Sequence, residues 1–132
     1  MSELDGVFYK EIVEQGLREF PNESCGVIAA ADGVPVKVFP MTNADASPVT
    51  YRLDGREQLK VFDQLDEQGW DLWAIYHSHT HSEAYPSDTD VRLAFYPEAR
   101  YILLSLQDRD DPAIRSFRIV EGEVTEEELT IT

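Results

Sequence analysis

The dipeptide Asp32-Gly33 restricts the folds open to this chain more than any other feature of its sequence, because it separates two β-prone runs, 25–31 and 34–39. Asp-Gly readily adopts the positive φ angles of a tight hairpin turn, so the two runs are predicted to pair as antiparallel strands. A second such turn is predicted at Glu121-Gly122, between β-prone runs 114–120 and 124–131. Hairpins of this kind argue against a fold made only of alternating strands and helices.

Three helices are predicted among these strands: residues 5–20, a segment capped by Asp54 and ended by Gly69, and residues 88–96 before Pro97. Helical spacing predicts which apolar side chains face inward: Phe8, Ile12, Val13, Leu17 and Phe20 in the first helix, and Leu59, Phe62 and Leu65 in the second. Further strands are predicted at 70–76 and 101–106. This order predicts one α+β domain over residues 1–132, with a mixed, mainly antiparallel sheet flanked by helices.

The charge of the chain excludes some partners. Acidic residues number 26 against 11 basic ones, for a net charge of −15. Nucleic acid and anionic membranes would be repelled, so neither is an expected partner. The same acidic surplus suits solubility in concentrated salt, and a solvated acidic surface is the plainer explanation.

Three features predict a cytoplasmic location. No run approaches the roughly 20 apolar residues that cross a bilayer, and the segment containing Glu3 and Asp5 lacks the pattern of a signal peptide. The single cysteine, Cys25, excludes an internal disulfide and fits a reducing compartment.

The segment His77-Ser78-His79 directly follows a β-prone run. Residues two apart in an extended chain point to the same face, so both imidazoles can reach one metal ion. Asp90, at the start of the next predicted helix, can supply a third donor. Three protein ligands leave a fourth position open for water, as in hydrolytic rather than structural zinc sites.

Turnover at such a site also needs a base that does not bind the metal. Glu23 is the candidate, because it lies at the start of the 25–31 strand, where separated residues can converge on a shared sheet. Ser87, three residues before Asp90, can donate to an oxyanion. Arg52 is the candidate partner for a substrate carboxylate, since guanidinium binds carboxylate through two parallel hydrogen bonds.

Each of these residues also has a plainer interpretation. A His-x-His pair is often a surface or packing feature, and Ser87-x-x-Asp90 is equally a helix-capping pattern. Glu23 and Arg52 can be solvated surface charges. Cys25 suggests a rival, a cysteine-dependent hydrolase, but it has no histidine at local spacing, and His81 is left outside the site.

Taken together, Glu23, His77-Ser78-His79 and, after a gap of seven residues, Ser87 to Asp90 resemble the JAMM motif of the MPN-domain metalloproteases. The resemblance implies their cytidine-deaminase-like fold. It also implies Zn²⁺ held by His77, His79 and Asp90, with Glu23 as base and Ser87 assisting the oxyanion. The family removes ubiquitin-like modifiers in eukaryotes and acts on sulfur-carrier relatives in bacteria.

Segment 21–26 looks like the one that presents the base in this family, and further stretches, among them 41–44, 51–54 and 83–87, look like the bacterial Mec branch. That branch frees cysteine from the C-terminus of a ubiquitin-like sulfur-carrier protein. Thr80 departs from the broad pattern, since many members have proline there. The alternatives are a non-catalytic MPN-type scaffold and an isopeptidase that acts on another ubiquitin-like conjugate.

Overall fold

The computed structural model describes residues 2–132, and within them it contains three helices and eight strands. In chain order the elements are β1 (Ser2–Leu4), α1 (Gly6–Glu19), β2 (Cys25–Ala31), β3 (Val34–Met41), α2 (Gly55–Gln68), β4 (Asp71–His79), α3 (Asp88–Arg92), β5 (Arg100–Ser105), β6 (Ala113–Val120), β7 (Glu123–Glu127) and β8 (Leu129–Ile131).

Six strands form one sheet in the order β3-β2-β4-β5-β6-β7. The β4–β5 pair is parallel, and every other neighbouring pair is antiparallel. The predicted α+β class with a mixed, mainly antiparallel sheet is confirmed. Because a parallel pair needs a crossover, the chain leaves the end of β4 through α3 before it returns as β5.

Both predicted hairpins are present. Asp32 and Gly33 have φ angles of 51° and 81°, and Glu121 and Gly122 have the same values. Positive φ at both central residues is the geometry that matches the right-handed twist of paired strands. These two turns set the β6–β7 register and the start of the β2–β3 register, which shifts at a bulge between Ala29 and Ala30.

Helices cover both faces of the sheet. Strand β2 is therefore buried on both sides, which explains why its sequence is apolar throughout. Ile28 and Ala30 pack on the α1 face with Ile12, while Val27 and Ala29 pack on the α2 face with Leu65. A strand buried on both sides has no polar alternation. A third cluster on β5 and β6 packs beside α3.

Two leucines predicted to face inward do not. Leu59 is 65% exposed and Leu17 is 43% exposed. The inward face of α2 passes through Val61, Phe62 and Leu65, which places Leu59 about a third of a turn away from its centre. On α1, Ile12 and Gly16 occupy the centre of the buried face, so Leu17 lies at its margin.

The third helix is shorter than predicted, because it ends at Arg92 rather than near Pro97. Tyr96 leaves the helix to accept a hydrogen bond at 2.7 Å from the Gln58 amide, while its backbone N–H donates to the Tyr101 hydroxyl at 3.1 Å. These contacts join the segment after α3 to α2 and β5.

The predicted strand 124–131 is divided. β7 stays in the main sheet, whereas β8 pairs in parallel with β1, a strand that the sequence analysis missed. None of the helices in residues 2–132 is long and apolar enough to cross a membrane.

Candidate metal centre

The end of β4 places His77 and His79 on one face of the sheet. Both are buried, with 1% and 4% of their surface exposed. Tyr76 and Ser78, the alternate residues, face α1 instead, where Tyr76 bonds Gln15 and Ser78 bonds Ser24. The strand therefore presents two imidazoles side by side.

Asp90 joins the two histidines from α3. Its Oδ2 lies 3.1 Å from His77 Nε2 and 3.0 Å from His79 Nε2, and the two Nε2 atoms are 3.2 Å apart. The carboxylate is aimed by a capping box, in which the Ser87 N–H donates to Asp90 Oδ2 and the Asp90 N–H donates to Ser87 Oγ. We call His77, His79 and Asp90 the donor group.

Hydrogen bonds alone do not account for the donor group. His79 Nδ1 lies 2.8 Å from the Glu83 carbonyl oxygen, which can only accept, so this nitrogen carries the proton. In the neutral ring, His79 Nε2 then presents a lone pair toward another nitrogen and a carboxylate oxygen. Atoms that hold one tetrahedral ion at about 2.0–2.2 Å lie roughly 3.3–3.6 Å apart, close to the observed spacing. The donor group fits a metal ion.

The electrostatics of Asp90 and His77 agree with this fit. Burial alone would raise the pKa of Asp90, but the adjacent His77 and His79 side chains hold it well below its ordinary value. Burial also lowers the pKa of His77. Burial would lower the pKa of His79 as well, but its contacts with Asp90 and the Glu83 carbonyl raise it, so a metal ion would have to displace a proton there. An ionised carboxylate beside a neutral imidazole is the protonation state that metal binding requires.

Glu23 lies beside the donor group. Cys25 pairs with His77 across β2 and β4, and the Ser78 N–H donates to the Ser24 carbonyl at 3.0 Å, so continuation of the register sets Glu23 opposite His79. Glu23 is 3% exposed, and its Oε1 has no hydrogen-bond partner within residues 2–132. Burial raises its pKa to about 8, opposed by His79 and reinforced by Asp90.

The other two predicted site residues lie at the margin. Ser87 is exposed and caps α3, and its hydroxyl proton remains free to donate. Arg52 is paired with Asp45 at 3.3 Å, and its side chain is 66% exposed. The structure thus brings His77, His79, Asp90 and Glu23 together, with Ser87 adjacent, while the oxyanion and carboxylate roles stay predictions.

A cavity of about 280 Å³ opens next to Asp90, between α2 and the segment after α3. Arg52 and Thr89 stand with Asp90 in its wall. The rest of the wall is mainly apolar or aromatic and comprises Tyr51, Leu53, Gln58, Ile75, Leu93, Phe95, Tyr96 and Tyr101. Phe95 is 70% exposed. An extended chain with apolar side chains could lie here with one end at the donor group.

Cys25 and His81 do not join the site. Cys25 is fully buried, and burial raises the pKa of its thiol to about 12, which disfavours the reactive thiolate. His81 is exposed and lies outside the donor group. The structure gives no support to a cysteine-dependent hydrolase.

Sequence reasoning gave no role to two residues that build the site. Buried Asn43 donates to the Glu23 carbonyl at 3.1 Å and to the Thr50 carbonyl at 2.9 Å. Thr80, where the broad family pattern has proline, donates through Oγ1 to the Pro48 carbonyl at 2.9 Å. Both tie segment 42–54 to the site, and the departure of Thr80 from the broad family pattern was a signal for one of them.

Comparison with known proteins agrees with this geometry. Residues 7–120 match the Prok-JAB family, described as prokaryotic homologs of the JAB domain. The chain is 48% identical to the CysO-cysteine peptidase of Mycobacterium tuberculosis, over 91% of this chain and 84% of that one. It is 34% identical to the probable TtuB-protein conjugate cleaving protease of Thermus thermophilus, over 81% and 68%.

A solution structure of a Desulfitobacterium hafniense protein superposes with a TM-score of 0.90 at 34% identity. The superposition covers 100% of this chain and 93% of that one. The same fold therefore holds over the whole length.

Proposed function

Because this chain belongs to the Prok-JAB family of JAMM-type metallohydrolases, we propose that it is a zinc peptidase that trims the tail of a ubiquitin-like sulfur-carrier protein. The bond is the one that joins a terminal cysteine to the carrier, and the product is free cysteine. The observation that carries the proposal is the donor group beside the buried, unpartnered carboxylate of Glu23.

The donor group is proposed to hold zinc, whose preferred ligands include histidine nitrogen and carboxylate oxygen. Zinc, when bound, supplies the Lewis acidity that activates water and polarises the scissile carbonyl. Three protein ligands suit such an open site, and Cys25 is not one of them, since its Sγ contacts the Met41 carbonyl oxygen.

Glu23 is proposed to take the proton of the attacking water at Oε1 and to deliver it to the leaving amine. Its burial suits this role, since a carboxylate without competing hydrogen bonds is free to accept a proton. The positive charge of a bound cation would lower its pKa from about 8 and keep it ionised between turnovers. Ser87 is proposed to donate its free hydroxyl proton to the oxyanion.

The cavity beside Asp90 is proposed to hold the extended tail of the carrier. Leu93 and Phe95, at 45% and 70% exposure, would contact apolar residues of the tail. Arg52 stands in the same wall and could exchange its exposed Asp45 partner for the carboxylate of the terminal residue. The pairing with Asp45 is weak at such exposure, so the exchange costs little.

A second candidate is cleavage of an isopeptide bond between a carrier and another protein. The Thermus relative, whose name describes cleavage of a protein conjugate, favours it. The higher identity and coverage of the mycobacterial peptidase favour release of cysteine as the main activity. A scaffold without catalysis is disfavoured, because every position of the motif is filled. The cytoplasmic location remains a prediction.

Mass spectrometry of two substrates tests the proposal. The zinc-loaded protein is incubated with a carrier that ends in one cysteine after its glycines, and separately with a carrier joined to lysine by an isopeptide bond. Loss of one cysteine mass, stopped by a chelator, is the expected result. Cleavage of the conjugate alone would support a metallopeptidase but contradict the proposed substrate. Cleavage of neither substrate would contradict both the activity and the substrate.

A further inference from the structure

The two histidines of the donor group are supported differently. Metal-binding histidines usually donate their second ring N–H to a carbonyl or carboxylate, which fixes the ring orientation. His79 does so, through the 2.8 Å bond from Nδ1 to the Glu83 carbonyl. His77 does not: its Nδ1 is buried without a hydrogen-bond partner within residues 2–132.

An aromatic ring lies on His77 instead. The ring of Tyr51 stacks on the imidazole, with centroids 4.1 Å apart and planes inclined by 20°. A ring in this arrangement restricts rotation of the imidazole about its side-chain torsions, because turning would lose the contact. The imidazole plane sets where Nε2 points.

The backbone around Tyr51 is itself fixed. Asn43 donates to the Thr50 carbonyl at 2.9 Å and accepts from the Arg52 N–H at 3.1 Å, so one buried side chain holds both neighbours of Tyr51. A bridge between Asn43 and Leu53 closes the same segment. Tyr51 is therefore held on His77 by its own backbone, independently of any contact at its hydroxyl.

We propose that Tyr51 is a positioning residue, whose stacked ring orients His77 for the metal as the Glu83 carbonyl orients His79. The inference rests on the proposed metal function of the donor group. Only the aromatic face is needed, and the hydroxyl is dispensable. Loss of a supporting contact to a metal ligand typically costs about 10- to 100-fold in metal affinity.

Metal affinity and ligand geometry test this role with four proteins: wild type, Tyr51→Phe, Tyr51→Leu and Leu72→Ala. Leu72 is the matched control, because it packs against the same two apolar clusters as Tyr51 but lies outside the cavity wall. Zinc affinity is measured by chelator competition, and geometry from the visible spectrum of the Co²⁺-substituted proteins.

Tyr51→Phe should match the wild type within about twofold in zinc affinity, with the same Co²⁺ spectrum. Tyr51→Leu should bind zinc about tenfold more weakly or worse, with a changed spectrum. Leu72→Ala should lose thermal stability but keep both metal properties. If Tyr51→Leu does not fold, Tyr51→Met supplies a flexible apolar side chain without a ring.

Equal zinc affinity and spectra in Tyr51→Leu and wild type would overturn the proposal. So would an equal loss of affinity in Leu72→Ala, since the effect would then be one of packing. Wild-type protein that binds neither zinc nor Co²⁺ would instead refute the proposed function itself, so the two failures are distinguishable.

Discussion

Two clusters of buried polar side chains lie on opposite faces of β2 and β4. Where the chain passes between them, consecutive residues point into different clusters. On the α1 face, Gln15, Ser24, Tyr76 and Ser78 form what we call the Gln15 cluster. Gln15 Nε2 donates to the Cys25 carbonyl at 2.9 Å, the Tyr76 hydroxyl donates to Gln15 Oε1 at 2.5 Å, and Ser24 bonds Ser78 at 3.0 Å. Each of its polar side chains has a partner.

The opposite face holds the donor group and Glu23. Within residues 2–132, three buried side-chain polar atoms have no partner, and two of them, Glu23 Oε1 and His77 Nδ1, lie here. Buried polar groups are almost always paired, so unpaired ones concentrated at one place indicate a site for a ligand. The Gln15 cluster should therefore serve stability, and the donor group catalysis.

The largest effect should follow removal of a ligand. His79→Ala should lose bound zinc and show no detectable cleavage of the carrier, while the protein remains folded by circular dichroism. His81→Ala, two residues further and exposed, should keep zinc. Zinc content is measured by mass spectrometry of the purified proteins. Full zinc occupancy in folded His79→Ala would show that the metal lies elsewhere.

Gly26→Ala should destabilise the protein at the Gln15 cluster. An added methyl group would overlap the Tyr76 hydroxyl and the backbone carbonyl oxygen of Phe39, and the carbonyl cannot turn aside. The free energy of unfolding should fall by about 3 kcal/mol or more. Gly55→Ala, which meets nothing within 4 Å, is the control. Equal urea midpoints for the two variants would contradict this packing.

The stability of metal-free protein should fall as pH rises. Burial raises the pKa of Glu23 to about 8, against an ordinary 4.5, so the folded state binds an extra proton between these values. The resulting stabilisation of the folded state is complete below pH 4.5 and is lost as the pH rises through about 8. Its size is on the order of 2–4 kcal/mol. Glu23→Gln should flatten this part of the urea-unfolding profile, and an unchanged slope would exclude Glu23 as its source.

The smallest effect should come from Gln15→Leu. The substitution keeps the shape but leaves the Tyr76 hydroxyl and the Cys25 carbonyl without their partner, at a cost of about 1–3 kcal/mol. Cleavage by the folded variant at 25 °C should stay within about twofold of wild type. Glu14→Leu, exposed on the same helix, should change stability by about 0.5 kcal/mol or less. If folded Gln15→Leu lost clearly more turnover than expected, the Gln15 cluster would also contribute to catalysis, and the two clusters would not be functionally separate.

Local sequence signals predicted most of the fold because the determining contacts are local. Asp32-Gly33 and Glu121-Gly122 form their turns without help from the rest of the chain. Asp54 caps α2 by accepting from the N–H groups of Arg56 and Glu57, and Gly69 ends that helix at a φ of 69°. These features depend on neighbours within a few residues.

The parts that could not be predicted depend on distant contacts. Ser2–Leu4 becomes a strand only by pairing with Leu129–Ile131, and three residues carry no usable period. In the site, the two-residue spacing of His77 and His79 predicted their shared face. Glu23 was predicted to converge on the site, but its placement opposite His79 depends on the β2–β4 register. The stacking of Tyr51, which was not predicted, depends on a loop held by Asn43. Neither leaves a periodic signal in the sequence.

The central claim is that the donor group and Glu23 form one catalytic site, and Glu23→Gln tests it most directly. Zinc content and single-turnover cleavage of the cysteine-extended carrier are measured for wild type, Glu23→Gln and Glu19→Gln, a neighbouring carboxylate outside the site. All three should hold about one zinc per chain. Glu23→Gln should cleave about 10²- to 10⁴-fold more slowly, while Glu19→Gln should stay within about twofold of wild type. A zinc-loaded Glu23→Gln protein that cleaves at the wild-type rate would contradict the claim.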